Sequence, residues 1–443
     1  MQATQKQVKV GLVGLGTVGS GTFNILSQNF KEISERTGLE IRVTHVGARR
    51  DNPAVDLSLP HFNQSKKVKV SRDIFAVVND PEIDILVELI GGCDTALTVV
   101  EQALKQGKHV VTANKALIAE HGNSLFRLAN ECGKTLAFEA AVAGGIPIIK
   151  SLTEGLAANK IDWLAGIING TGNFILTEMK EKGRDLCEVL KEAQRLGYAE
   201  ADPAFDIEGT DAAHKLTILA ALAFSVPFSF DKVFTEGIQR ITPADLKFAD
   251  NFGYVIKHLA IARNTAHGIE LRVHPTLISK KQLLSKVDGV MNAVLVHGDA
   301  VGSVLFYGAG AGAKPTGSAV VADIIDIARQ LTSPRAFLNR ISNENKKVNV
   351  IDINNIELAY YLRVQARDQR GVLAGISKTL SEHGVSIEGI YQQEGQPGER
   401  SVPVIILTEP VLESEMNAAL REIQTLDYTE EPVLKIRIEH FKG

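Results

Sequence analysis

The amino-acid sequence predicts an α/β fold in which a helix-covered parallel sheet is followed by an α+β domain and a ferredoxin-like C-terminal domain. Three patterns support this prediction. Short apolar runs alternate with helical segments up to about residue 150, longer helices then interleave with extended runs, and the tail follows the order β-α-β-β-α-β. We place the domains at 1–134 (completed by 304–340), 135–303 and 356–443, with the polar, aperiodic stretch 341–355 as a linker.

The first apolar run, VKVGLVGL, meets the glycine turn GLGTVG and continues into a helical segment. Gly14, Gly16 and Gly19 therefore lie between a strand and a helix, where a pyrophosphate can approach the N–H groups of the helix N-terminus. This context favours a Rossmann-type dinucleotide site, and the alternative is a tight structural turn.

The second strand ends in VGARRDN, at a position where NAD-binding chains typically carry an acid for the ribose hydroxyls. Arg49 and Arg50 occupy it instead, and a guanidinium pairs bidentately with a 2′-phosphate. We therefore predict NADP, with NAD as the second choice; the alternative is two solvated arginines in a turn.

The segment HVVTANKALIAEHG places Lys115 directly after another strand. The carboxyl ends of strands in open parallel sheets bind ligands, so this lysine is a candidate contact for cofactor or substrate. A surface lysine at a helix start has the same spacing, and both interpretations stay open.

The stretch GYAEADPAFDIEGTDAAHKL is dense in carboxylates and ends in a lysine. Asp211 and Lys215 are spaced i, i+4, which is typical of an exposed helical ion pair. The helix continues as LTILAALAF, however, and its periodicity places both residues on one stripe with the apolar Ile218. A lysine partly removed from water can protonate the alkoxide that hydride transfer produces, while a carboxylate such as Glu200 holds a cationic substrate. The alternative is an acidic loop with an ordinary ion pair.

Composition excludes several function classes. A net charge of −4 and a pI near 6.3 give no electrostatic footprint for nucleic acid, and no apolar run is long enough to span a membrane. The first residues show no secretory pattern, so we expect a cytoplasmic protein. Cys93, Cys132 and Cys187 lack paired spacing, which indicates neither a disulfide framework nor a structural zinc site.

Six motifs follow one another along the chain: GLGTVG, TANKALIA, FEAAVAGGIPII, GIINGTGNFIL, GYAEADPAFDIEGTDAAHKL and GAGAGAKPT. In this order they resemble the homoserine dehydrogenase family, over about residues 8 to 330. The resemblance implies NAD(P)H-dependent interconversion of L-aspartate 4-semialdehyde and L-homoserine, on the route to threonine and methionine.

The resemblance also implies residue roles. Lys215 becomes the proton donor and acceptor, Lys115 contacts the cofactor and shares the proton transfer, and Glu200 and Asp211 bind substrate. The implied cofactor contacts are Gly14, Leu15, Gly16, Thr17, Val18, Gly19, Arg49, Arg50, Lys115 and Gly312.

A sodium site is implied in FEAAVAGGIPII, where the ligands would be Glu139, Val142, Gly144 and Ile146. Hard cations take oxygen ligands, and main-chain carbonyls can supply them. One departure from the family pattern is Gly172 in NGTGN, where a hydroxyl residue is expected; a substrate contact through that side chain is therefore in doubt.

The tail YYLRVQARDQRGVLAGISKTLSEHGVSIEGIYQQ resembles an ACT domain, which implies an effector site where the first strand turns into its helix. The residues of this turn are Asp368 to Gly371, with Val385 and Ile387 expected nearby, and threonine is the implied effector. The alternative is a domain that only pairs subunits. Because a ferredoxin-like sheet has two free edges, we expect a homodimer or homotetramer.

Two other functions are considered. The chain could be another Rossmann oxidoreductase acting on an amino acid or a sugar, although a sugar enzyme would need neither a cationic-substrate pocket nor an ACT-like tail. It could also be a nucleotide-sensing regulator without chemistry, although no basic DNA-recognition segment is visible.

Overall fold

The computed structural model describes residues 6–57, 68–200, 202–332, 348–392 and 400–441. The strands are β1 (Lys6–Val13), β2 (Leu39–Gly47), β3 (Lys69–Ser71), β4 (Ile85–Glu88), β5 (His109–Thr112), β6 (Leu136–Ala137), β7 (Ile161–Ile167), β8 (Phe234–Thr235), β9 (Tyr254–Thr265), β10 (Gly268–Ser279), β11 (Met291–Gly298), β12 (Gly302–Ala309), β13 (Glu357–Arg367), β14 (Ile387–Gln392), β15 (Ser401–Thr408), β16 (Val411–Leu412) and β17 (Leu434–Glu439). The helices are α1 (Thr17–Gln28), α2 (Phe30–Thr37), α3 (Phe75–Val78), α4 (Asp94–Lys105), α5 (Lys115–Glu131), α6 (Ile148–Lys150), α7 (Gly170–Lys182), α8 (Leu186–Arg195), α9 (Ala204–Ile207), α10 (Thr210–Phe224), α11 (Pro243–Asn251), α12 (Ala313–Thr332), α13 (Val372–Glu382) and α14 (Glu413–Gln424).

The first sheet has six parallel strands in the order β3-β2-β1-β4-β5-β6. Its strands are short and apolar, and their side chains are buried by helices on both faces, as the sequence predicts. The strand order reverses between β1 and β4, which opens a crevice at their carboxyl ends. This is the Rossmann-type arrangement, and it confirms the predicted fold class of the N-terminal domain.

The helix α12 returns to this sheet from far along the chain. Its Val320, Ile324 and Ile327 are buried in the same core as residues of β1 and β2. The contact between α12 and α1 is close, because a Cβ on Gly21 would lie 1.9 Å from the carbonyl oxygen of Ala313. Residues 313–332 therefore pack on the nucleotide-binding sheet, whereas residues 304–309 lie in β12 and belong to the second sheet.

The second sheet has eleven strands and runs continuously from the middle of the chain into its tail, in the order β12-β11-β7-β9-β10-β17-β13-β15-β14, with β8 and β16 paired at its sides. The junction is the parallel pairing of β10 with β17, in which Thr276 is opposite Arg437. The sequence does not predict this shared sheet, because β10 and β17 are remote in the chain.

The C-terminal region has the order β13, α13, β14, β15, α14, β17, which confirms the ferredoxin-like prediction. One face of its sheet packs on the middle domain, where Tyr361, Ile405 and Ile436 share a core with Leu277. The other face packs on α13 and α14. Part of the predicted linker also pairs with the middle domain, since Ile351 N–H donates to the carbonyl of Ile269 at 2.9 Å.

In the described ranges, no helix combines the length and the apolar character needed to cross a membrane. All three cysteines are free thiols.

Candidate active site

The helix α10 carries the central pair of the site. It begins after Gly209, whose φ of 92° places it in the left-handed region, and a Cβ there would lie 3.1 Å from Cε1 of His258. Most of α10 is buried, and the side chains of Asp211 and Lys215 are only 4% and 12% exposed. The two therefore do not form the exposed ion pair that their spacing alone suggests.

Asp211 connects two lysines that are remote in sequence. Its Oδ2 accepts from Lys215 Nζ at 2.6 Å, and its Oδ1 lies 2.8 Å from Lys115 Nζ. Lys215 Nζ also donates to the main-chain carbonyl of Ile168 at 2.7 Å. An ammonium has three N–H bonds, and the described residues supply only these two acceptors, so one donor of Lys215 is left for a ligand oxygen.

Burial and charge act in opposite directions on these groups. Burial lowers the pKa of Lys215, and the Asp211 carboxylate opposes that shift. Burial also disfavours ionisation of Asp211, but the charges of Lys215 and Lys115 hold its pKa below the ordinary value. For Lys115, burial lowers the pKa, while Asp211 more than compensates and raises it overall. Lys215 is consequently the more readily deprotonated of the two lysines.

Lys115 is the first residue of α5 and lies at the carboxyl end of β5. The N-cap residue Asn114 accepts from the Leu117 N–H at 3.1 Å, and its side-chain amide donates to the carbonyl of Gly92 at 2.6 Å. The Lys115 ammonium is 5.5 Å from the ring centroid of Phe205. This lysine therefore links the nucleotide-binding sheet to the middle domain.

Asn169, the N-cap of α7, holds two of the carboxylates. Its Nδ2 donates to Asp206 Oδ1 at 2.7 Å and to Asp211 Oδ2 at 2.9 Å, and its Oδ1 accepts from the Gly172 N–H at 2.7 Å. Burial raises the pKa of Asp206, and Asn169 partly offsets this shift. Sequence patterns assign a role to neither Asn169 nor Asp206, although the Asn of GIINGTG is a recognisable N-cap residue.

Glu200 is exposed at the edge of this site. Its negative charge contributes to the raised pKa of Lys115, so it lies near the lysine pair. Its backbone carbonyl accepts from Gln194 Nε2 at 3.1 Å, while its carboxylate is not among the groups bonded to either lysine. An exposed carboxylate beside buried cations is well placed to meet an ammonium arriving from solvent.

The glycine turn GLGTVG has the shape that a dinucleotide needs. Gly14 has a φ of 100°, and a Cβ there would lie 2.5 Å from the Leu89 carbonyl oxygen. A Cβ on Gly19 would lie 2.1 Å from the carbonyl oxygen of Gly14, whereas Gly16 faces open space. The Gly16 N-cap has no side-chain bond, and Thr17 is exposed, so the first N–H groups of α1 are available to a phosphate.

The remaining cofactor candidates lie around this turn. Leu15 is buried and Val18 half-buried at the start of α1. Arg49 and Arg50 are exposed just after β2, and neither forms an ion pair within the described ranges. Gly312 has a φ of 126° immediately before α12.

The loop with the implied sodium ligands contains two main-chain oxygens without donors. Val142 and Gly144 are buried, and no hydrogen bond reaches either carbonyl from the part of the chain that is described. Buried carbonyls are normally paired, so a cation with oxygen ligands fits this loop. The Ile146 carbonyl, in contrast, accepts from the Ile148 N–H at 2.8 Å.

The Glu139 side chain is already engaged. Its two oxygens accept from the N–H groups of Ile149 and Lys150 at 2.9 and 2.8 Å, and thereby cap α6. Its own N–H donates to Asp323 on α12 at 2.8 Å. Burial raises the pKa of Asp323 to about 8, and Lys150 opposes that shift.

The four implied effector residues lie at opposite ends of the C-terminal sheet, because Arg367 pairs with Ser401 at one end of β15 and Ile387 pairs with Thr408 at the other. The expectation that Val385 and Ile387 lie near Asp368 and Gly371 within one chain is therefore wrong. Asp368 follows β13, and its N–H donates to the Arg400 carbonyl at 3.2 Å; Gly371 is the N-cap of α13 with a φ of 91°. Val385 is buried in the turn after α13, and Ile387 begins β14. The strand-to-helix turn thus has the exposed backbone that the predicted effector site requires.

A dinucleotide crevice beside two lysines bridged by a buried carboxylate defines a dinucleotide-dependent oxidoreductase. Comparisons with known proteins agree. Family models described as homoserine dehydrogenase, its NAD-binding domain and the ACT domain match residues 147–325, 14–139 and 360–426. The chain therefore belongs to the homoserine dehydrogenase family, and its activity is that of an NAD(P)-dependent homoserine dehydrogenase.

Individual relatives cover the whole length. Homoserine dehydrogenase of Pseudomonas aeruginosa is 54% identical over 438 residues, which is 98% of this chain and 99% of that protein; that of Neisseria gonorrhoeae is 49% identical over 439 residues. The crystal structure of a homoserine dehydrogenase from Thiobacillus denitrificans superposes with a TM-score of 0.90 at 51% identity, over 98% of each chain. A hyperthermophilic archaeal homoserine dehydrogenase in complex with NADPH gives a TM-score of 0.61 at 27% identity, over 75% of this chain and 100% of that one.

Proposed function

We propose that the group formed by Lys215, Asp211 and Lys115 is the place where aspartate 4-semialdehyde and homoserine are interconverted. The observation that supports this proposal is the bridging of both lysines by one buried carboxylate, at 2.6 and 2.8 Å. The bridge holds two cations beside the carboxyl edge of the parallel sheet, where an oxyanion can be stabilised as it forms.

In the reducing direction, Lys215 donates its free N–H to the carbonyl oxygen of the substrate and transfers that proton as the alkoxide develops. The bound nicotinamide supplies the hydride. Asp211 and the Ile168 carbonyl orient the donor, since they engage its other two N–H bonds. In the oxidising direction, neutral Lys215 removes the hydroxyl proton, and its burial favours that neutral form.

Substrate recognition is proposed for the surrounding carboxylates. Both substrates carry an α-ammonium group, and Glu200 at the exposed edge offers it a charge partner. Asp211 accepts from two lysines and from Asn169, so it holds the lysines in place, and the remaining lone pair of its Oδ1 can still accept from the substrate.

We propose NADP as the preferred cofactor. Arg49 and Arg50 are exposed after β2 without an ion-pair partner within the described ranges, so both can contact a 2′-phosphate. Gly14, Gly16 and the first turn of α1 would hold the pyrophosphate.

We also propose a sodium ion in the loop of Val142 and Gly144, whose buried carbonyls lack donors from the described residues. The ion would complete the hydrogen-bonding capacity of this loop and stiffen it. The loop contacts the segment before α12, since Gly145 N–H donates to the Ala309 carbonyl at 2.9 Å, so sodium would act on the cofactor side of the site.

For the ACT domain we propose regulation by threonine at the turn of Asp368 and Gly371, which lies at the opposite end of the sheet from Val385 and Ile387. The shared sheet supplies a route to the active site. On β17, Arg437 donates to Glu236 Oε2 at 2.7 Å, and the Glu236 carbonyl accepts from His258 Nε2 at 2.9 Å.

The far side of this route contacts the catalytic helices. His258 packs against Gly209 at the start of α10, and Ile238 N–H donates to the Ile207 carbonyl at the end of α9, at 2.9 Å. A displacement of β17 would therefore reach the segments that carry Asp206 and Asp211. We further propose a cytoplasmic homodimer or homotetramer.

The test is a spectrophotometric assay of NADPH and NADH oxidation with aspartate semialdehyde, repeated with potassium in place of sodium and with threonine added. The proposal expects turnover with a preference for NADPH, acceleration by sodium and inhibition by threonine. Absence of turnover by folded protein in sodium-containing buffer would overturn the catalytic assignment, whereas each modulator tests only its own site.

A further inference from the structure

A second group of reactive side chains lies on the rim of the crevice, apart from the lysine pair. Cys93 is the N-cap of α4, and Glu120 and His121 are consecutive residues of α5. One ligand atom of each, sulfur, oxygen and nitrogen, lies within 4.8 Å of the others. The Cys93 thiol lies 3.9 Å from Glu120 Oε2, and both Cys93 and His121 are half-buried.

A buried histidine beside this group has no satisfied ring nitrogen. His214 is 3% exposed, and neither its Nδ1 nor its Nε2 makes a hydrogen bond of acceptable geometry with any described residue. Its Nε2 lies 3.2 Å from the other oxygen of Glu120. A histidine beside a carboxylate ligand can fix the orientation of that carboxylate.

We propose that Cys93, Glu120 and His121 bind a zinc ion, and that His214 holds Glu120 in position. Sulfur, imidazole nitrogen and carboxylate oxygen are the donors that zinc takes, whereas magnesium and calcium prefer oxygen alone. Zinc bonds of 2.0 to 2.3 Å in a tetrahedron place ligand atoms roughly 3.5 Å apart, so the side chains need to close by only about 1 Å.

The ion would join the two segments that border the catalytic group. Cys93 follows Gly92, whose carbonyl is bonded to Asn114, and α5 begins with Lys115. Binding displaces the proton of the Cys93 thiol into solvent, so affinity rises with pH. The proposal is independent of the catalytic assignment, because it rests on donor atoms that the proposed proton transfer does not use.

Cobalt substitution tests this site in the full-length, untagged, reduced protein. Co²⁺ bound to a thiolate gives a charge-transfer absorption in the near ultraviolet, and Zn²⁺ should abolish it at one equivalent. Cys93→Ser should remove the band, and His121→Gln should weaken Zn²⁺ binding at least tenfold in competition with a chromophoric chelator. The double variant Cys132→Ser/Cys187→Ser, which keeps Cys93, is the matched control and should bind like the parent.

A second measurement covers the case in which a variant folds poorly. In the parent protein, Zn²⁺ should slow alkylation of Cys93 relative to Cys187, as read by peptide mapping, and should raise the melting temperature. Equal alkylation of Cys93 with and without Zn²⁺, or a cobalt band that persists in Cys93→Ser, would overturn the proposal.

Discussion

The substitution Asp211→Asn removes one charge from the centre of the site and nearly preserves its shape. In the parent structure this carboxylate lies 2.6 Å from Lys215 and 2.8 Å from Lys115, with 4% of its side chain exposed. Burial and the charge of the neighbouring Lys115 both lower the pKa of Lys215, and the Asp211 carboxylate opposes these two effects. Without it, both of those effects act unopposed, so the pKa of Lys215 must fall further.

The magnitude follows from the separation of the charges. An opposite charge within about 4–6 Å commonly shifts a pKa by roughly 1 to 3, and this contact is shorter and almost dry. At about 1.36 kcal/mol for each pH unit, the lost stabilisation of the ammonium is on the order of 1.4 to 4 kcal/mol.

The assay is the pH dependence of kcat at saturating substrate in both directions. Reduction requires protonated Lys215. In Asp211→Asn the alkaline limb of the kcat profile for reduction should therefore move to lower pH by roughly 1 to 3. Oxidation requires the neutral amine, so its acidic limb should move in the same direction. Asp202→Asn, in an exposed position of the same loop, should leave both limbs unchanged. If the pH profiles of Asp211→Asn coincide with those of the parent, Asp211 does not control the pKa of Lys215, and the reasoning is refuted.

Three further predictions concern the cofactor, the ion and the ACT domain. Replacing Arg49 and Arg50 with alanine should lower kcat/KM for NADPH by at least tenfold and change that for NADH little; equal losses for both cofactors would exclude 2′-phosphate recognition. Replacing sodium with choline at constant ionic strength should lower both kcat and the melting temperature. If neither value changes, the proposed sodium site is contradicted. Glu236→Ala removes the carboxylate that accepts from Arg437 and so breaks the route between β17 and the catalytic helices. We expect kcat/KM to fall roughly 2- to 30-fold. The control Glu270→Ala loses a contact with the neighbouring Arg272 and should leave kcat/KM unchanged. If both variants lower kcat/KM equally, the cause is general destabilisation.

Local signals in the sequence were sufficient for much of the fold. The glycine turn, its strand and its helix follow from backbone sterics, because Gly14 and Gly19 leave no room for a Cβ. The order of elements in the tail likewise follows from periodicity and turn residues. The continuation of α10 as an apolar helix correctly indicated that Lys215 is removed from water.

Long-range contacts were beyond sequence reasoning. Nothing local shows that Lys115 reaches Asp211, because the two lie on helices from different domains. Asn169 joins Asp206 to Asp211 only after α7, α9 and α10 have packed. The continuous sheet through β10 and β17 was also unpredicted, and it makes the C-terminal domain part of the middle domain's core rather than a detachable module.

The roles of Glu200, Arg49 and the loop of Val142 depend on groups that the protein binds, so they stay predictions. Their geometry is compatible with the proposed ligands: an exposed carboxylate near Lys115, a guanidinium without an ion pair in the described ranges, and a buried carbonyl without a donor from the described residues.

The most direct test of the account is the substitution Lys215→Ala, measured by turnover and by NADPH affinity in the same preparation. If Lys215 transfers the proton, kcat should fall by roughly 10²- to 10⁴-fold while the Kd for NADPH stays within a small factor of the parent value. A kcat close to that of the parent would contradict the central claim. So would a loss of activity that is fully explained by failure to bind NADPH.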